Sequence, residues 1–483
     1  MRILNIKYII AVILAAFFLS ACVTDSTGKE KKPNIIFIMA DDMGKEWVSA
    51  YGSEDVVTSN IDRLAQSGMR LDNVYAMPQC TPTRVTLLTG QYPFRHGWIN
   101  HWDVPRWGGG AHFDKELNPS LGRVMKEAGY KTLTVGKWQI NDYRVQPGAM
   151  TEHGFDDYCM WTGFETGNPP SAERYYDPYI HTKEGSRTYR GAYGPDLFTD
   201  YVINFLRENR EEPMFIYYPM VLVHNPPNIP PGKAPDEKNK NAVYASMVEY
   251  ADSMTGRIMD ELEELGLREN TLLIFTADNG SPPKVNARLN GIRIKGGKGK
   301  TTENGVNMPF ILSYPSALDG GTQSDALIDF SDLLPTFAEL AGARLPRGNT
   351  YDGRSFAPLI LGREDDSPRD WILAMGGQNK AKRTEAGVEN MYNFRDRVIR
   401  NKRFKLYINT SRQPEKLIDL QHDPLEQTNL IDSVHIKEVR ESLKFLKSVL
   451  SSLPEKDNDP RYKPLPPQPW DVEITEKSQE WKK

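Results

Sequence analysis

The chain has 483 residues, of which 39% are hydrophobic, 26% charged and 10% aromatic, with a formal net charge of −4. That length exceeds one average domain, and the composition is that of a globular protein with a large core. The near-neutral charge argues against a nucleic-acid partner, and no internal repeat is visible.

Arg2 and Lys7 precede an apolar run from Tyr8 to Leu19. The run is too short for a spanning helix and suits the core of a signal peptide. It ends in LSAC, with small residues before Cys22. This resembles a bacterial lipoprotein signal, which implies that residues 1–22 are a signal peptide and that a lipidated Cys22 becomes the mature N-terminus. An ordinary secretory signal cleaved nearby is the alternative. Residues 23–32 are polar and read as a tether. The expectation is an exported protein held by its lipid at the outer membrane, facing the periplasm, or at the cell surface. Of the three cysteines, Cys80 and Cys159 then remain. They could form one disulfide, although a core of this size needs no such staple.

Asn34 to Met39 (NIIFIM) is a continuous apolar run, read as a buried parallel strand whose end carries Asp41 and Asp42. Helices are expected at Asn60–Ser67, at Thr81–Thr89 with Pro82 early, and at Pro119–Gly129, followed by a strand at Thr132–Val135. Met214 to Val223 reads as a second apolar strand ending in HNPP, Val243 to Leu265 as a long amphipathic helix, and Leu272 to Thr276 as a third strand ending in ADNG. Strand–helix alternation points to an α/β fold, with helices on both faces of the sheet. In such sheets ligands bind beyond the carboxyl ends of the strands. Asp41, Asp42, Lys137, His224, Asp278 and Asn279 all fall there. Near residue 365 the texture changes to short strand-like pieces and a helix at His435–Leu450, read as a small α+β subdomain over 366–453 after a domain over 33–365. The tail over 454–483, rich in Pro, Lys and Glu, is expected to wrap the surface or be disordered.

Cys80-Thr81-Pro82-Thr83-Arg84 is a C-x-P-x-R motif, and the helix continues into LLTG and QYPFRHG. ADDMG ends the first strand, and GKW (136–138), VHNPP (223–227), TADNG (276–280) and GGKGKTTENG (296–305) follow in order. The subdomain carries KLIDLQHDPLEQTNL. Together these resemble the sulfatase family of the alkaline-phosphatase-like superfamily, over residues 33–432. The resemblance implies a large mixed, mostly parallel sheet sandwiched by helices, with a smaller C-terminal subdomain. It also implies that a maturation enzyme oxidises Cys80 to formylglycine (3-oxoalanine). One hydroxyl of the aldehyde hydrate would attack sulfur, and the other would collapse to expel sulfate, so the second step is intramolecular. Free N–H groups at a helix start also favour an anion.

Three carboxylates at one point need a cation, and oxygen ligands suit Ca2+, or Mg2+, rather than zinc. By resemblance Asp41, Asp42, Asp278, Asn279 and residue 80 form the metal shell. Arg84 would hold the hydrate or its metal partner, and Lys137 and Lys298 would bind sulfate. His224 would protonate the leaving alkoxide as general acid. Glu303 is expected to brace its loop, and Lys295 and Lys300 to be solvated charges.

The chain departs from the family at Gln139, where GKW is usually followed by histidine. Glutamine exchanges hydrogen bonds but cannot titrate, so Gln139 is assigned positioning only. Asn304 and Asn307 also replace the family's usual glycine and arginine. The expected partner is a sulfated glycan, with an algal carrageenan or ulvan favoured and a glycosaminoglycan as rival. Two stretches rich in aromatic and basic residues, 96–114 and 161–193, are candidates to stack on sugars or to pack beneath loops. Different readings are a phosphonate or phosphate ester hydrolase and, because of Gln139, a non-catalytic glycan-binding lipoprotein.

Overall fold

The structure, a computed structural model, describes residues 31–99, 111–163, 168–376, 381–384, 387–466, 468–470 and 480–481. Cys22 and the signal and tether residues before Lys31 lie outside the described residues. Strand β1 (Asn34–Ala40) is buried at all seven positions, as a strand covered on both faces must be. After it come β2 (Met69–Tyr75), β3 (Lys131–Lys137), β4 (Asp157–Trp161), β5 (Tyr179–Thr182), β6 (Gly185–Thr188), β7 (Met214–Pro219) and β8 (Thr271–Ala277). A short hairpin, β9 (Asn286–Leu289) and β10 (Ile292–Lys295), precedes β11 (Phe310–Ser313) and β12 (Thr322–Asp329). Ten of these strands form one sheet, in the order β12-β2-β11-β8-β1-β7-β3-β4-β5-β6. Its centre, from β8 to β4, is parallel, and β11, β5 and β6 enter antiparallel. The mostly parallel sheet expected from the sequence is therefore present.

Helices Ser59–Gln66, Gly194–Glu208 and Lys240–Glu264 pack together, as do Cys80–Thr89, Leu121–Glu127 and Leu333–Ala341. The long helix starts where the Asn239 side chain accepts from the backbone N–H groups of Asn241 and Ala242. Helix Cys80–Thr89 is buried at every position and ends at Gly90, whose φ of 65° suits a residue without a Cβ.

One expected strand is shorter than its apolar run. β7 stops at Pro219, which has no N–H for a ladder. Met220 to Val223 stay buried but wrap the end of β1 instead: Asp41 N–H donates to the Leu222 carbonyl (2.7 Å) and Val223 N–H to that of Asp41 (2.8 Å). Hydrophobicity reports burial here, not extension.

Strands β13 (Ile372–Met375), β14 (Ala381–Thr384), β15 (Gly387–Asn390), β16 (Arg397–Arg400), β17 (Phe404–Ile408), β18 (Pro414–Asp419) and β19 (Glu480–Trp481) complete the chain. β13, β16, β17 and β18 form an antiparallel sheet against which helix Lys437–Ser452 packs. Of the tail's two expected fates, its first part takes the wrapped one. Buried Asp457 pairs with Arg397 at 2.7 Å, and Asn458 donates to the Arg95 carbonyl at 2.9 Å. Cys80 and Cys159 are both buried free thiols, so the disulfide alternative does not hold. No helix among the described residues is long and apolar enough to cross a membrane.

Candidate active site

β1 and β8 run in register from Asn34 opposite Thr271 to Ala40 opposite Ala277. Asp41 and Asp278 therefore leave neighbouring strands at the same height, and Asp278 N–H donates to the Ala40 carbonyl at 3.0 Å. β3 brings Lys137 to the same end, and the chain after β7 brings His224. Cys80 enters at the first position of its helix. Thr83 ties that helix to β8 through a hydroxyl bond to the Asp278 carbonyl, at 2.8 Å.

One ligand atom each from Asp41, Cys80 and Asp278 lie within 4.8 Å of one another, and the same holds for Asp41, Asp42 and His224. Each acid meets a cation. Lys137 Nζ is 2.5 Å from Asp41 Oδ2, Lys298 Nζ is 2.5 Å from Asp42 Oδ1, and Arg84 Nη2 is 2.7 Å from Asp278 Oδ2. Asn279 Nδ2 donates to Asp42 Oδ1 at 2.7 Å, and His224 Nε2 lies 3.7 Å from Asp42 Oδ2. All three acids are fully buried.

Burial would raise each carboxyl, and the neighbours decide the outcome. For Asp41, Lys137, His224, Arg84 and Lys298 outweigh burial and hold it well below the usual range. For Asp42, burial wins over Lys298, with Asp41 adding to the rise. Asp278 is pushed up to about 6 by burial and Asp41, against Arg84. His224 is held well below its ordinary value by burial first, then by Lys137 and Lys298.

Two oxygens test whether a cation belongs here. Asp41 Oδ1 and Asn279 Oδ1 are buried and accept no hydrogen bond. Buried acceptors are normally paired, and two without a partner in one cluster of carboxylates are what metal ligands look like without their ion. The residues fit a hard divalent cation. The backbone adds a further sign: Asp42 has a φ of 68° and Gln139 a φ of 70°, a region non-glycine residues rarely occupy and one that clusters at functional sites.

The structure thus gathers Asp41, Asp42, Cys80, Arg84, Lys137, His224, Asp278, Asn279 and Lys298 at one end of the sheet. Gln139 follows the end of β3, just beyond Lys137. Glu303 braces its loop, as expected: it accepts from Tyr75, from Asn307 (2.9 Å) and from Arg400 (2.9 Å), and pairs with Lys405 (3.0 Å). The aromatic stretch 96–114 divides. Trp98 is fully buried and packs edge-on against Phe113, so it serves the core and not a sugar. His101, Trp102 and Trp107 lie outside the described residues.

Three contributors were not singled out from sequence. Arg174 lies over the Trp161 ring (3.8 Å), with Nη1 3.1 Å from His224 Nδ1. Tyr175 donates to the His224 carbonyl at 2.5 Å, and Tyr244 donates to the Asp42 carbonyl. Arg174 and Tyr175 sit in the 161–193 stretch, whose composition marked the segment but not the residue. Tyr244 lies on a helix far along the chain, with no local signal.

The sulfatase family model matches residues 33–343, and a model of the C-terminal part of N-sulphoglucosamine sulphohydrolase matches residues 298–452. Human N-acetylgalactosamine-6-sulfatase is 30% identical over 391 residues, covering 74% of this chain and 72% of the relative. An arylsulfatase of Hemicentrotus pulcherrimus is 30% identical over 350 residues, covering 68% of this chain and 62% of the relative. The crystal structure of Ps i-CgsB superposes with a TM-score of 0.72 at 26% identity, covering 87% of this chain and 93% of that one. The chain belongs to the sulfatase family, the sulfuric ester hydrolases of the alkaline-phosphatase-like superfamily.

Proposed function

We propose that this sulfatase removes sulfate from a sulfated polysaccharide or its oligosaccharides, using residue 80 in its formylglycine form and a divalent cation, with Ca2+ preferred to Mg2+. The observation that carries the reading is the pair of unpartnered oxygens, Asp41 Oδ1 and Asn279 Oδ1, in the cluster that holds Cys80. Asp41, Asp42, Asp278 and Asn279 would hold the ion with residue 80. When bound, the ion would polarise a sulfate oxygen and favour ionisation of the attacking hydroxyl.

Charge balance favours a sulfate ester over a phosphate. Asp41, Asp42 and Asp278 are matched by Lys137, Lys298 and Arg84. A divalent ion leaves two positive charges in a buried site. A sulfate monoester and an ionised hydroxyl neutralise them, whereas a phosphate dianion overshoots. With an ion holding Asp41 and Asp42, Lys137 and Lys298, which pair with those acids here, would be available to the sulfate oxygens, where negative charge spreads during transfer. Arg84 keeps Asp278 and the residue-80 helix start together, since it bonds Asp278 and the Lys137 carbonyl. His224 Nε2 faces the cluster. Burial with Lys137 and Lys298 disfavours its charged form in the free site. The negative charge of a bound sulfate ester would favour that form, so that the imidazolium gives its proton to the departing sugar oxygen. Gln139 orients groups by hydrogen bonds alone. The proton released in the collapse step goes to another acceptor, Asp278 or water.

The glycan assignment rests on export and on the stretches rich in aromatic and basic residues. A carrageenan or ulvan is the favoured polymer and a glycosaminoglycan the rival, the latter supported by the N-acetylgalactosamine-6-sulfatase relative. A fold neighbour at 24% identity was solved with k-i-k-neocarrahexaose, a likeness that carries the fold alone. The export assignment rests on the LSAC stretch, and with it lipid on Cys22, a place at the outer membrane or cell surface, and an encounter with the maturation enzyme on the way out.

The test is sulfate release from a panel of carrageenans, ulvan, chondroitin sulfate and heparan sulfate by protein co-produced with a maturation enzyme, with and without chelator. Matched aryl sulfate, phosphonate and phosphate esters run alongside. Chelator-sensitive sulfate release and preference for the monoanionic sulfate are expected. Release from no glycan together with phosphate preference would overturn the reading.

A further inference from the structure

A cavity of about 880 Å³ opens between the hairpin β9–β10, the GGKGK loop and the C-terminal sheet. Its volume lies within the range of ligand pockets, roughly 300–1,000 Å³. None of the residues assigned to the catalytic cluster lines it. Seven basic and five acidic side chains do.

The acids are committed elsewhere. Glu303 is taken by Tyr75, Asn307, Arg400 and Lys405, Asp325 by Lys402, and Glu426 by Lys405 and Tyr407. Asp72 is taken by Arg70 and Gln323, and Glu46, which accepts from Ser281, is pushed up to about 7 by burial. The bases are not all matched. Lys295 and Lys300 are exposed and reach no acid among the described residues, and Arg293 beside them bonds only the Asn286 amide. Ile292 and Leu425, 43% and 44% exposed, stand among the few large apolar side chains left open to solvent, and both face this cavity. Unmatched cations next to open apolar surface suit a ligand with anionic groups on a C–H-rich frame, which describes a sulfated sugar chain better than a free small anion.

The position matters as much as the chemistry. Lys295 and Lys300 flank Lys298, whose ammonium sits on Asp42. One short loop thus presents a lysine inward to the catalytic cluster and lysines outward to the cavity.

We infer that this cavity is a second binding site, for a sulfated segment of the polymer beyond the sugar being desulfated, with Lys295, Lys300 and Arg293 as its anion-reading wall. It rests on the glycan reading above. A polymer held there raises the local concentration of its ester at the catalytic cluster without touching the chemistry.

The experiment uses the formylglycine-bearing enzyme and the variant Lys295→Ala/Lys300→Ala, with Lys444→Ala/Lys447→Ala as a control of equal charge change on an exposed helix face. Retardation of each in gels containing carrageenan or chondroitin sulfate is read beside turnover of an aryl sulfate. The expected result is that Lys295→Ala/Lys300→Ala weakens retardation and raises KM on the polymer about tenfold, with aryl sulfate kcat/KM and the control unchanged. Equal retardation of wild type and both variants would overturn the second site while leaving the glycan reading intact. Loss of retardation in the control as well would reduce the effect to net charge and also overturn it. A wild type that neither binds nor desulfates any polymer would sink the glycan reading itself, and this site with it.

Discussion

Two buried charge clusters in this molecule look alike in composition and differ in completeness. Around Glu303, every carboxylate oxygen has a partner: Tyr75 and Lys405 on one, Asn307 and Arg400 on the other. Nearby Glu426 is equally occupied by Tyr407, Lys405 and the Glu303 N–H. The catalytic cluster also matches its acids with cations, yet Asp41 Oδ1 and Asn279 Oδ1 accept nothing. A buried ionic group closed on itself holds segments together, here the GGKGK loop and the C-terminal sheet. One left open is kept for something that arrives. Burial and pairing therefore do not identify a site, whereas an unpaired acceptor inside a paired cluster does.

The largest effect expected from breaking this contrast is at residue 80. Cys80→Ala should lower turnover by about 10⁴-fold or more while leaving retention on sulfated polymer intact, measured by sulfate release and by gel retardation. Next comes the cation. Chelation should abolish activity and lower the melting temperature, and re-addition of Ca2+ should restore both. Asp278→Asn should remove the Ca2+-dependent part of the thermal shift, whereas Glu303→Gln should keep it. His224→Ala should cost about 10²-fold or more on natural sugar sulfates and far less on activated aryl sulfates, whose good leaving groups need little protonation. Equal losses on both substrates would remove His224 as the general acid. In the closed cluster, Glu303→Gln leaves buried Arg400 and Lys405 short of charge and should cost about 3 kcal/mol of stability, read by denaturant unfolding, with little change in metal dependence.

The smallest effect is a pH dependence. The Asp278 carboxyl stands at about 6 in the folded, metal-free protein, above its unfolded value. Over that interval the folded state binds more protons than the unfolded one, so stability falls as pH rises from about 4 through 6. Wild type should lose this increment relative to Asp278→Asn in chelator, and Ca2+, which holds the carboxyl ionised, should abolish the fall with pH in wild type.

Much of this was legible in the sequence. The buried strands around Ile36 and Leu273 announced themselves as apolar runs, and the acids at their ends fell where an α/β sheet puts ligands. The motif residues pointed to one site, and the structure brings them to one end of the sheet. Hydrophobicity misled where burial and strand part company, at Met220 to Val223, which wrap β1 instead of extending β7. At Trp98 composition left a sugar platform and packing beneath a loop equally open, and the ring is core. Arg174 and Tyr244 were out of reach because their roles depend on long-range placement. So was the cavity behind Lys295 and Lys300, because whether a lysine is solvated or lines a pocket is decided by the sheet folded opposite it.

The measurement that bears most directly on the central claim is the mass of the tryptic peptide LDNVYAMPQCTPTR, residues 71–84, from protein made beside a competent maturation enzyme. The account predicts that the thiol at residue 80 is replaced by an aldehyde in step with sulfate release. A peptide that keeps its cysteine while the enzyme beside it modifies a control substrate would contradict it.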